Sequence, residues 1–145
     1  MNHRFFLLKG LYIENEVDII LTGDSFTEGY SVHSNQSISA VLRELDFNTI
    51  SVGKGSNGPL IEFATLKEYA EPLKPRIVLW LYYVNDFINL KEEMKSSILR
   101  NYLNNDGYSQ NLISRQEEID RVLIDYVNVE WGKQKNKKKD KKNLN

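Results

Sequence analysis

Three short segments hold the residues of this chain whose types and spacing could do chemistry. The first is TGDSFTEG, residues 22–29, directly after an apolar run. The second is GKGSNGP, residues 53–59, and the third is Asn85-Asp86, just past RIVLWLYYV. A serine between a strand and a helix meets free backbone N–H groups and the positive end of the helix dipole. Both favour an alkoxide or a tetrahedral oxyanion. Ser25 also fits two other readings. It could cap the helix that follows, or it could join Thr22 and Thr27 around a phosphate. GKGSNGP offers flexible N–H groups suited to an oxyanion hole. Asn85 adds a side-chain amide donor, or serves only as a turn residue.

The elements that must position these segments can be read from periodicity. Residues 17–23, VDIILTG, form a short apolar run closed by glycine and read as a buried parallel strand. Residues 34–46 predict a helix with Ile38, Val41, Leu42 and Leu45 on one face. Residues 47–53 alternate and end at Gly53, predicting a second strand. Pro59 suits the first turn of a helix with Leu60, Phe63, Leu66 and Ala70 at helical spacing, closed by Pro72 and Pro75. Residues 76–84 predict a third strand. Residues 90–103 and 115–131 predict helices, the latter with Ile119, Val122, Leu123 and Tyr126 facing inward. The order β-α-β-α-β-α-α implies an α/β fold with a short parallel sheet. Ligands of such sheets bind beyond the carboxyl ends of the strands. All three polar segments fall there.

Composition narrows the function classes. The 145 residues suffice for one domain, and the net charge of −1 argues against a nucleic-acid partner. The charge is uneven: residues 132–145 carry seven Lys against one Asp, leaving the remainder at about −7. That lysine-rich end predicts a disordered tail. With no Cys and two His, no metal site is expected. No cofactor is expected either. No apolar run nears the ~18 residues of a membrane span, and Lys9 interrupts the N-terminal apolar stretch too early for a signal peptide. The expectation is a cytoplasmic protein. The α/β-hydrolase elbow G-x-S-x-G is not met, because Thr27 stands where its second glycine would be. A Walker loop is absent too.

Taken together, the three segments resemble the SGNH (GDSL-like) hydrolase family over residues 17–130. The first block resembles GDSFTEG. The second is similar to N-x-G-x-x-G, here Ser51-Val52-Gly53-Lys54-Gly55-Ser56 followed by Asn57-Gly58-Pro59. The third is similar to G-N-D, here Val84-Asn85-Asp86. The resemblance implies a flavodoxin-like three-layer α/β/α fold and hydrolysis or transfer of ester-linked acyl groups on a small ester, acyl or carbohydrate substrate. It implies Ser25 as nucleophile. The Ser25 N–H, the Ser56 N–H (with Gly55 as the alternative backbone donor) and the Asn85 side chain would form the oxyanion hole. Asp24, Gly53, Asn57, Gly58 and Asp86 would support them. The departures are Ser51, Ser56 and Val84 in place of Asn, Gly and Gly.

A larger departure is that neither His3 nor His33 lies in the family's late D-x-x-H block. A serine without a base is a poor nucleophile. The expectation is therefore an SGNH-like domain over residues 1–131, truncated or divergent at its C-terminus. Little activity is expected of this chain alone. Self-association through the incomplete C-terminal edge is a further expectation. Two alternatives remain: a non-catalytic acyl- or sugar-binding module, and a flavodoxin-like phosphate or nucleotide binder.

Overall fold

Three parallel strands lie in the order β2-β1-β3: β1 (Ile19–Gly23), β2 (Thr49–Ser51) and β3 (Ile77–Leu81). The computed structural model describes residues 14–142, with side chains to residue 133. The chain divides into two compact units after Gln110.

In the first unit, β1 is sealed along its whole length. Ile20 packs with Val17, Ile50 and Ala70, and half-buried Val52, Leu66 and Leu73 surround them. Ile19, Ile20 and Leu21 are apolar on both faces because β1 is central. Between β1 and β2 lie the single-turn helix α1 (Ser25–Glu28), a 3₁₀ turn at Ser34–Gln36 and α2 (Ile38–Glu44). Ser37 caps α2 by accepting the Ala40 N–H. This helix is shorter than its sequence predicts, and its apolar face is not buried. Ile38, Val41 and Leu45 are exposed, while Ser39 is buried and Arg43 reaches the Thr49 carbonyl. The Arg43 side chain thus ties α2 to β2, while most of the apolar stripe stays exposed.

Helix α3 (Pro59–Thr65) continues through a π-helical turn, Leu66–Ala70, and a 3₁₀ turn, Glu71–Leu73, before β3. The predicted helix over residues 90–103 is two helices, α4 (Asp86–Glu93) and α5 (Ser97–Asn104). Ser96 breaks the run by capping α5, its hydroxyl accepting the Leu99 N–H. Because α3 packs against β1, α4 and α5, its inward residues are not a single stripe. Leu60, Ala64 and Ala70 are buried, but so are Glu62 and Glu68, while Phe63 and Leu66 are half-buried. Glu68 Oε1 accepts the Tyr102 hydroxyl at 2.6 Å and the Ser109 hydroxyl at 3.0 Å. Burial, and next this bond, push the Tyr102 phenol up to about 12.

In the second unit, α6 (Gln116–Lys142) runs past the boundary expected after Trp131 and into the lysine-rich segment that composition assigns to a disordered tail. Lysine is a good helix former, and cations suit a helix C-terminus. Val122, Leu123 and Tyr126, expected to face inward, are exposed. Among the described residues no helix is long and apolar enough to cross a membrane. His3 and the N-terminal apolar stretch lie outside the described residues.

Candidate active site

The strand order makes the carboxyl ends of β1 and β3 the place where successive crossovers diverge from β1, the usual crevice of an open parallel sheet. Gly23 ends β1 at φ +149°. A Cβ there would lie 2.2 Å from Thr27 Oγ1 and 2.6 Å from the Leu81 carbonyl oxygen, so only glycine lets the chain turn between α1 and β3. Asp24 is the cap of α1: its carboxylate accepts the Phe26 N–H at 3.1 Å. Ser25 is thereby released from capping and becomes the first helical residue, half-buried. Among the described residues nothing hydrogen-bonds its hydroxyl. Thr22 and Thr27 are fully buried, so a ligand arriving from solvent meets Ser25 and not them.

The second loop is fastened to the first. Lys54 N–H donates to the Gly23 carbonyl at 3.0 Å, and the Ser51 hydroxyl donates to the Thr27 carbonyl at 3.0 Å. Gly53 lies against the Thr27 side chain. Glu28 of α1 accepts the Gly55 N–H at 2.7 Å and pairs with Lys54. This bond occupies one of the two backbone donors that the sequence reading considered for an oxyanion hole. Gly55 N–H is already taken, whereas Ser56 N–H has no protein partner among the described residues. A Cβ on Gly55 would lie 3.5 Å from Ser25 Cβ, which sets the loop beside the serine. Ser56 sits at φ +74°, a left-handed position that glycine fills with less strain.

The third loop joins through aromatic and amide contacts. The Phe26 and Tyr83 rings lie 5.1 Å apart, and Asn89 Nδ2 donates to the Asn57 carbonyl at 3.3 Å. Asn85 is half-buried at the start of α4, and its side chain makes no cap bond. Asp86, fully buried, holds the turn: its Oδ2 accepts the Tyr83 N–H at 2.7 Å. Glu93, from the far end of α4, accepts the Gly58 N–H at 2.6 Å and the Leu60 N–H at 2.9 Å, satisfying the start of α3.

The sequence reading did not single out Glu28 or Glu62. Glu62 is fully buried, its Oε2 accepts the Trp80 indole N–H at 2.6 Å, and its Oε1 has no partner. Burial above all lifts its carboxyl to about 7, against the Trp80 bond and with help from Asp86, Asp24 and Glu93. The only signal in the sequence was a Glu inside an otherwise apolar helix turn, PLIEFA.

Among the described residues no basic group completes the site. His33 is exposed and precedes the 3₁₀ turn at residues 34–36, and no His or carboxylate reaches the Ser25 hydroxyl among the described residues. No cluster of three or more metal-ligating side chains occurs among them. Comparison of the chain with protein-family models, with curated proteins and with solved structures finds no match.

Proposed function

We propose that this chain is an SGNH-like domain whose Ser25 handles ester-linked acyl groups, by hydrolysis or by transfer to an acceptor hydroxyl. One observation carries the reading: an accessible, unpartnered serine hydroxyl stands at the end of β1, beside a loop with a free N–H at Ser56 and at the same sheet end as the unpartnered Asn85 amide. In the complete reaction Ser25 Oγ attacks the carbonyl carbon and its proton passes to a base. The oxyanion rests on the Ser25 and Ser56 N–H groups and the Asn85 amide. The alcohol then leaves with a proton, and water or an acceptor hydroxyl releases the acyl group. The flavodoxin-like three-layer arrangement belongs to the same proposal. Right-handed crossovers leaving β1 and β2 in opposite directions would put α2 and α3 on opposite faces of the sheet.

A second reading, a binding module that holds an acyl or sugar ligand without cleaving it, is favoured by the lack, among the described residues, of a basic side chain at the Ser25 hydroxyl. A labelled fluorophosphonate separates the two. Covalent marking that disappears in Ser25→Ala supports the acyl-transfer lineage, with slow turnover of short p-nitrophenyl esters. An unmarked serine in the folded chain supports the binding module. The phosphate-binding alternative is weakened by the burial of Thr22 and Thr27. Self-association fits the outer edge of β3, which is unpaired among the described residues and carries neither charge nor proline. Sedimentation that stays monomeric with rising concentration counts against it.

A further inference from the structure

Four buried carboxylates lie near one another around α3: α4 packs on α3, Glu93 bonds the start of α3, and Asp86, Asp24 and Glu93 all act on the Glu62 charge. Asp24 lies at the entrance of α1, Glu62 in α3, and Asp86 and Glu93 at the two ends of α4. Three are committed to backbone N–H groups: Asp24 to Phe26, Asp86 to Tyr83, and Glu93 to Gly58 and Leu60. Glu62 has only the Trp80 indole on one oxygen. Its Oε1 and the Oδ1 of Asp86 are both buried without a partner. Among the described residues no Lys, Arg or His pairs with any of the four. Two further titratable groups are buried beside this helix pair, Glu68 on the continuation of α3 and Tyr102 of α5, and they bond each other, while the exposed Tyr82 feels the Asp86 charge. Neighbouring buried acids cannot all ionise without cation support, so the one with the fewest bonds to its charged form keeps a proton.

We propose that Glu62 is a positioning residue that keeps one proton beside Asp86 and so holds the Tyr83–Asp86 turn, and with it Asn85, in place. Loss of that proton sets a second buried negative charge against the carboxylate that pins the turn. The functional consequence rests on the reading of Asn85 as an oxyanion donor; the proton and its effect on the turn do not.

The test is a pH series of ¹H–¹⁵N spectra of the whole labelled chain, from about pH 5.5 to about pH 8.5. The Trp80 indole N–H reports on Glu62, and the Tyr83 backbone N–H reports on Asp86. Both resonances are expected to move with one shared midpoint near neutrality, and Glu62→Gln is expected to abolish both movements. A static Trp80 signal, or a Tyr83 shift that persists in Glu62→Gln, overturns the proposal. So does a Trp80 titration that leaves Tyr83 unmoved. Should Glu62→Gln fail to fold, the unaltered chain still decides. The infrared carbonyl stretch of a protonated carboxylic acid must be present at about pH 6 and lost at about pH 8.5. Its absence overturns the proposal. Fluorophosphonate labelling of Ser25 is expected to slow with the same midpoint. No labelling at any pH defeats the acyl-transfer reading and leaves the titration to be judged on its own.

Discussion

β1 and β3 are five-residue apolar strands bonded to each other along their whole length, yet their surroundings differ at every step. Across the register row Ile50–Ile20–Val78, exposure runs from 5% and 0% to 45%. The neighbouring Ile19–Ile77 and Leu21–Leu79 pairs repeat the pattern. β1 delivers Ser25 from a sealed position, with its loop fastened by Glu28 and by backbone bonds to Lys54. β3 delivers Asn85 from a strand exposed over most of its length, and the turn beyond it is held by a buried carboxylate. The Ser25 side of the site thus starts from a sealed strand and the Asn85 side from an exposed one, while carboxylates hold the turns of both: Asp24 and Glu28 on the first, Asp86 on the second. Bonds to carboxylates respond to pH, whereas packing does not, so the two sides differ chiefly in packing.

The comparison can be broken first by truncation. Ile20→Ala is expected to destabilise the fold by about 2–5 kcal/mol. Leu79→Ala, on a strand 38% exposed at that residue, is expected to cost well under half as much. Urea unfolding with unchanged slope checks both, and equal losses would mean that β3 is covered as fully as β1.

The second effect is the response to pH. Glu62 ionises near 7 in the fold against an ordinary 4.5, so the folded chain binds more protons between those values. Its contribution to stability is therefore greatest below about pH 4.5, falls as pH rises toward 7, and levels off above that. Asp18, lowered by the Asn48 N–H and by Arg76, and Glu118, lowered by Arg115, act with the opposite sign and only in more acid solution. Thermal unfolding should show a falling Tm from about pH 5 to pH 8 that is flattened in Glu62→Gln.

The smallest effect belongs to the loop. Ser56→Gly removes left-handed strain at a gain of about 0.5–1 kcal/mol, partly offset by the freer unfolded chain. A differential Tm above the unaltered chain's confirms it.

The position of β1 was legible because a buried parallel strand is apolar on both faces, as Ile19, Ile20 and Leu21 are. The meeting of the three polar segments at one sheet end followed from topology alone. The capping question around Ser25 was not legible: Asp24 and Ser25 are both good caps, and only backbone geometry chose Asp24. The break at Ser96 was hidden because Leu90, Met94 and Ile98 keep apolar residues coming at four-residue spacing across it. The buried acids were hidden for a related reason. A Glu on a helix reads as solvated, and Glu62 is buried only because α3 is covered by the sheet on one side and by α4 and α5 on the other. Exposure on α2 and β3 likewise depends on what packs against them, which apolar periodicity does not encode.

The central claim is that Ser25 and Asn85 serve one reacting group across this β1–β3 divide. The direct test is the rate at which a fluorophosphonate labels Ser25 in the unaltered chain and in Asn85→Ala, with folding checked by Tm. Loss of one oxyanion donor should slow labelling by about 10²-fold or more. An unchanged rate in a folded Asn85→Ala chain would contradict the claim.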